Sequence, residues 1–154
     1  MKFEQYKFVK EHALAACTAA GVSFPSGKQI NPIVLAYVGD VVFSMYVRLR
    51  LVPTSSHVRV IHDLGSKMVS AVCQCWAMQE LQNTLSEEEA AVFRRGRNAK
   101  SMVPKSASVH EYRMATAFEA LVGYLFLEEK EERLNEIMET SFEIIARKLQ
   151  DAKK

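Results

Sequence analysis

The sequence predicts an all-α protein, and three observations predict it. Glycine and proline are scarce, six and four residues in 154. No stretch alternates polar and apolar residues with the period of two that a half-buried strand shows. Apolar residues recur instead at three- and four-residue spacing, in segments punctuated by serine, proline and glycine.

Phe3, Tyr6, Val9, Ala13 and Ala16 mark an amphipathic helix over 3–20 that stops at Gly21. SFPSGKQINP is a loop whose Pro32 is suited to open the next helix. Ile33 to Leu51 is a strongly apolar helix, ended by Pro53. Ser55 or Ser56 caps a further helix to about Met68, continuing through VSAVCQCWAMQELQN. Ser86 and the three glutamates after it start another helix, with acids at the positive end of its dipole. RRGRNAKSMVPKS contains Gly96 and Pro104 and reads as a basic loop. HEYRMATAFEALVGYLFL is a second strongly apolar helix. The segment from Glu128 onward is an amphipathic closing helix with a solvated, glutamate-rich start. Trp76, Met78, Phe93, Tyr37 and Tyr46 fit core positions.

The length suits one domain with a real core. Hydrophobic residues make up 49% and charged residues 25%, a globular balance. A net charge of +2 is too small to assign a nucleic-acid partner, so the distribution of charge must carry that argument. Cys17, Cys73 and Cys75 form no C-x-x-C pair and do not read as a disulfide framework, so free thiols are expected. His12, His57, His62 and His110 make no zinc-type spacing with them. The first residues carry Glu4 and Glu11 and no apolar signal region. The longest apolar run is interrupted by Asp40 and falls short of the ~20 residues a membrane span requires. A cytoplasmic protein without a membrane segment is expected.

Two residues break the apolar pattern. Asp40 sits in the middle of the first apolar helix, and Glu119 is the one charge between Met114 and Leu127 in the second. An unpaired buried carboxylate costs several kcal/mol or takes up a proton. Each acid has a glycine close by: Gly39 precedes Asp40, and Gly123 lies one helical turn after Glu119. Glycines let helix backbones approach closely, at a propensity cost of about 1 kcal/mol each. Two helices joined in that way bring the carboxylates together, where they repel unless a cation lies between them. Mg²⁺, a hard cation that keeps several waters, suits such a pair and serves phosphoryl-transfer chemistry. Taken singly, either acid can instead bond a buried hydroxyl or lie on a solvated edge.

A basic run follows the fifth helix start. Arg94, Arg95, Arg97, Lys100 and Lys105 are interrupted by no acid, and Asn98 and Ser101 add hydrogen-bonding groups. Such a segment neutralises phosphates and releases counterions. Without an anionic partner it is a solvated connection.

LAYVGDVVFSMYVR, then RRGRNAK, then EYRMATAFEALVGYLFL, in this order, resemble the ribonuclease III family, and more closely its Mini-III branch, from about Asn31 to about Glu128. The resemblance implies a helical endonuclease domain over 29–154 behind an N-terminal helical extension over 1–28. It implies a homodimer, Mg²⁺ dependence and double-stranded RNA as substrate, with maturation of the 23S ribosomal RNA precursor as the task. Asp40 matches the aspartate of the family's Gly-Asp signature and Glu119 its second signature carboxylate, so both are the implied catalytic and metal-holding residues. Arg94, Arg95, Arg97, Asn98, Lys100 and Lys105 are the candidate RNA contacts. Three acids of the two-domain family members fall here on Ile33, Ala36 and Thr116, which leaves a thinner anionic site. The reading from another class is a catalytically silent relative that binds RNA or ribosomal particles. Retention of both acids favours the enzyme.

Overall fold

The computed structural model describes residues 4–23, 25–100 and 102–152, and among them contains helices and turns but no strand. Phe3 and Ser101 lie outside the described residues. The helices are α1 (Glu4–Ala19), α2 (Pro32–Leu51), α3 (Val58–Met68), α4 (Ala71–Leu81), α5 (Glu87–Asn98), α6 (Val109–Leu127) and α7 (Glu131–Asp151). Single 3₁₀ turns at Val52–Thr54 and Gln82–Thr84 follow α2 and α4.

Helix α6 is the centre, packed against α2, α4, α5 and α7. Its composition requires this position, since a helix apolar on all sides must be covered on all sides. Eleven of its residues, from Met114 to Leu125, are buried. Ser108 and Glu111 start it with a reciprocal capping box. The α2–α6 contact is the tightest in the molecule. A Cβ at Gly39 would overlap the carbonyl oxygen of Glu119, and one at Gly123 would overlap that of Leu35. Phe43 and Phe118 meet edge to face beside this contact, with ring centroids 4.9 Å apart. Each such buried ring contributes roughly 1.5 to 3 kcal/mol.

Charged fasteners hold α7 to this core. Arg133 donates two hydrogen bonds to Glu89, at 2.8 and 3.0 Å, and a third to the Thr84 carbonyl. Glu89 is 5% exposed and also closes the capping box of α5 with Ser86. Arg50 on α2 donates to both carboxylate oxygens of Glu139, and the Tyr46 hydroxyl donates to the same group.

Several elements depart from the expectations above. The helix begun after Pro53 starts at Val58, and Ser55 accepts from the His57 amide one residue outside it. It does not run on to Asn83. Val69 and Ser70 turn back onto the carbonyls of Gly65 and Lys67, and the Ser70 hydroxyl then caps α4 by accepting from Cys73. The run RRGRN is helical rather than a loop. Gly96 faces α6, where a Cβ would come within 2.9 Å of the Ala117 Cα, so this glycine serves packing and not flexibility. The positive charges of Arg95 and Arg97 suit the last turn of α5. Tyr46 is 2% exposed as expected of a core residue, but Tyr37 is 76% exposed. Glu128 is not merely solvated, because its carboxylate accepts from the Gly27 amide at 2.6 Å.

Helix α1 ends at a left-handed Gly21, φ 74°, as its sequence demands. Of its expected apolar stripe the described side chains face outward, Ala13 and Ala16 exposed and Val9 57% exposed, while Leu14 and Cys17 are half-buried instead. The helix is attached through Lys10, whose buried ammonium donates to the carbonyls of Phe126 and Leu127 at the end of α6 and reaches Glu129. Pro32–Thr54 is long and apolar enough to match the length of a membrane span, which corrects the expectation that the run falls short. The face of α2 formed by Leu35, Phe43, Tyr46 and Val47 is nevertheless core.

Gly123→Ala tests the helix contact. In an unconstrained helix the change would stabilise by about 1 kcal/mol. Here it forces α2 and α6 apart, and a destabilisation of about 3 kcal/mol or more is expected from denaturant titration. An unchanged midpoint would mean that the contact relaxes freely.

Candidate active site

The glycine contact decides where the two acids lie. Gly39 abuts the Glu119 carbonyl, so Asp40, the next residue of α2, stands beside Glu119 on α6. Asp40 is exposed and accepts a 3.4 Å hydrogen bond from the Ser44 hydroxyl one turn further along. Glu119 is half-buried. Burial pushes its carboxyl up to about 7, the nearby Asp40 charge pushes in the same direction, and the side chain of Gln74 opposes them. The pair that spacing alone suggested is therefore a real electrostatic unit, with one acid facing solvent and the other behind it. A carboxylate can interrupt the most apolar segment because Asp40 lies on the exposed side of α2. A groove of about 460 Å³ starts there and passes Ser44, Met45 and Arg48 to Val52.

The positions of the missing acids are plain. Ile33 is exposed, Ala36 is buried, and Thr116 is buried with its hydroxyl donating to the Tyr112 carbonyl at 3.0 Å. Among the described residues no group of three or more His, Cys, Asp or Glu side chains converges. A divalent cation would thus have two protein carboxylates. Their repulsion, and the proton that Glu119 holds near neutrality without a cation, fit that use. Gln74, which sequence reasoning passes over, lies against Glu119 and is 1% exposed. No periodicity singles it out, because a glutamine within CQCWAMQ reads as ordinary helix.

The basic residues divide. Arg94, Asn98, Lys100 and Lys105 are exposed. Arg97 is half-buried over the Phe93 ring, 5.5 Å from its centroid, with Nε 3.5 Å from the Asn98 side-chain oxygen. Arg95 is engaged elsewhere. Its guanidinium donates to the carbonyls of Lys28 and Ile30, at 3.0 and 2.7 Å, and pins the loop that leads into α2. Asn98 and Lys100 share a hollow of about 160 Å³ with Tyr112 and Arg113. Arg113 is an exposed cation on α6, ahead of Glu119, that charge counting in the basic run alone leaves out.

Glu119 makes stability depend on pH. Its folded value lies above the ordinary 4.5, so the native state binds the extra proton. The associated stability is present below pH 4.5 and is lost as pH rises through 7, amounting to on the order of 2 to 3 kcal/mol without metal. Glu119→Gln should remove this part of the pH dependence and melt higher than the parent at pH 8 in a chelator. Parallel melting curves for the two proteins from pH 5 to 8 would contradict it.

Comparisons with known proteins agree with the geometry. The model of the Ribonuclease III domain matches residues 33–130. The Mini-ribonuclease 3 of Clostridium tetani is 45% identical over 114 residues, covering 72% of this chain and 76% of the relative. That of Brevibacillus brevis is 45% identical over 117 residues, covering 75% and 87%. A crystal structure of a protein from Fusobacterium nucleatum superposes with a TM-score of 0.69 at 27% identity, over 72% of this chain and 92% of that one. Likeness of this degree, over the helices that carry both acids, places the chain in the ribonuclease III family, among the endoribonucleases of Mini-ribonuclease 3 type.

Proposed function

We propose that this endoribonuclease cleaves double-stranded RNA in a Mg²⁺-dependent reaction, acting in the cytoplasm as a homodimer on the 23S ribosomal RNA precursor. The observation that carries the reading is the Asp40–Glu119 pair, held across a glycine contact that leaves no slack. Asp40 and Glu119 would hold the cation. When bound, Mg²⁺ supplies positive charge at the scissile phosphate and lowers the pKa of water. Asp40, exposed and fixed by Ser44, faces the side from which RNA and water arrive. Glu119, half-buried on α6, would hold the cation from within as a carboxylate. In the hydrolysis a water oxygen bonds to phosphorus, the bond from phosphorus to the 3′ oxygen breaks, and that oxygen takes a proton. The products carry 5′-phosphate and 3′-hydroxyl ends.

Duplex RNA is read through phosphates and 2′-hydroxyls. Arg94, Asn98, Lys100 and Lys105, with Arg113 beside them, offer exposed groups for both, and Arg97 contributes from its place over Phe93. Arg95 serves this surface indirectly, by fixing the loop before α2. The dimer is supported by the outer face of α2 and the turn after it: Val34, Tyr37 and Val41 on the helix and Val52 in the turn are each more than half exposed. An apolar face of that kind marks an association surface, and two copies supply one site for each strand. Three unpaired cysteines suit a reducing compartment.

Asp40→Asn tests the enzyme against a silent RNA-binding relative. The variant should fold, bind a long RNA duplex, and cleave it slower by a factor of about 10³ or more in Mg²⁺. Cleavage at the parent rate, or parent cleavage unaffected by a chelator, would sink the assignment. The basic surface predicts a salt effect. Arg94→Ala with Lys100→Ala should weaken duplex binding and flatten log affinity against log salt by about 0.7 to 0.9 for each phosphate that is no longer neutralised. An unchanged slope would send the RNA to another face. Sedimentation at micromolar concentration should give twice the chain mass, and a monomer would refute the two-site arrangement.

A further inference from the structure

Gln74 is a polar side chain placed where an apolar one would pack better. It is 1% exposed, and its Nε2 donates to the Val69 carbonyl at 3.2 Å. Its Oε1 has no hydrogen-bond partner and no contact with solvent. A buried oxygen left in that state is destabilising and needs a reason. The other unpaired buried oxygen among the described side chains, Tyr124 Oη, sits with Glu88 and Lys130 away from the acids. That of Gln74 belongs to a side chain lying against Glu119.

The placement is built by the break between α3 and α4. Val69 and Ser70 leave the helix, Ser70 caps the new one, and Gln74 falls in the first turn of α4 with the Val69 carbonyl in reach of its amide nitrogen. Helix α4 packs on α6, which carries Glu119. The nitrogen end of the amide is thus held by Val69 and is the end that opposes the rise of the Glu119 carboxyl, while the oxygen of the same amide is left without a partner. The nearby oxygen that could have stood there, the Thr116 hydroxyl, is tied to Tyr112.

We propose that Gln74 is a positioning residue of the metal site, whose Oε1 accepts a hydrogen bond from the hydration shell of the divalent cation held by Asp40 and Glu119. It supplies, as a neutral amide, an oxygen in a site poor in carboxylates. Mg²⁺ keeps several of its waters, and partners of those waters tune its affinity. The inference rests on the metal-dependent reading above.

The test uses Mn²⁺ as probe, its binding to the whole protein followed by electron paramagnetic resonance. Gln74→Met keeps the volume and deletes the oxygen. It should raise the Mn²⁺ dissociation constant by about 10-fold or more, while the melting temperature in a chelator stays level or rises because the unpaired oxygen is gone. Gln74→Glu restores an oxygen and adds charge, and should bind Mn²⁺ at least as tightly as the parent. Unchanged Mn²⁺ affinity in Gln74→Met makes Gln74 core filling and overturns the proposal with the metal reading intact. If Gln74→Met does not fold, Gln74→Glu decides: affinity at or above that of the parent supports the role, and a weaker affinity overturns it. A parent protein that binds no Mn²⁺ removes both.

Discussion

The structure depends on one contact, the crossing of α2 and α6 at Gly39 and Gly123. Backbone meets backbone there, and no side chain of any size fits between. The contact fixes two things at once. It sets the spacing of the core, since Phe43, Phe118 and their neighbours pack around it. It also sets the separation of Asp40 and Glu119, because each acid is attached to the contact itself, one as the neighbour of a glycine and the other as the residue whose carbonyl the glycine touches. Main-chain contact fixes the two backbone positions from which the acids project. That rigidity is what a two-carboxylate site needs, because repulsion between the acids is then borne by the helix pair.

Much of this was legible in the sequence because the relevant signals are local. Pro32, Gly21 and Ser86 each mark a helix end through a mechanism confined to a few residues. The carboxylate–glycine pairing was readable because Asp40 and Glu119 are chemical exceptions within apolar segments. What remained hidden was set by contacts distant in the chain. The break at Val69–Ser70 carries no glycine or proline, and one serine hydroxyl turning onto Cys73 decides it. The run RRGRN looks like a loop until Gly96 is seen to lie on α6. The value of Gln74 arises from α4 packing on α6, and the use of Arg95 from carbonyls more than sixty residues away in the chain.

The basic segment separates two roles that charge counting merges. A guanidinium engaged by two backbone carbonyls is part of the architecture, as Arg95 is, while a neighbour one position away faces solvent. Division of labour inside a cationic run follows from arginine chemistry, since the same fork of N–H donors that clasps a phosphate can be occupied by backbone carbonyls. Arg95 even links the two, because the loop it holds ends at the Asn31 cap of α2, the helix of Asp40.

Lys10 acts far from this surface. The last carbonyls of a helix lack partners within it, and those of α6 take theirs from the turn that follows and from Lys10. Lys10 takes two of them, with its ammonium sunk to 7% exposure, and so moors a whole additional helix at one point. An appendage joined in this manner draws on the end of the central helix and not on the contact that holds the acids. Its anchorage touches neither Asp40 nor Glu119, so whatever the added helix does through it is separated from the acids by the second half of α6.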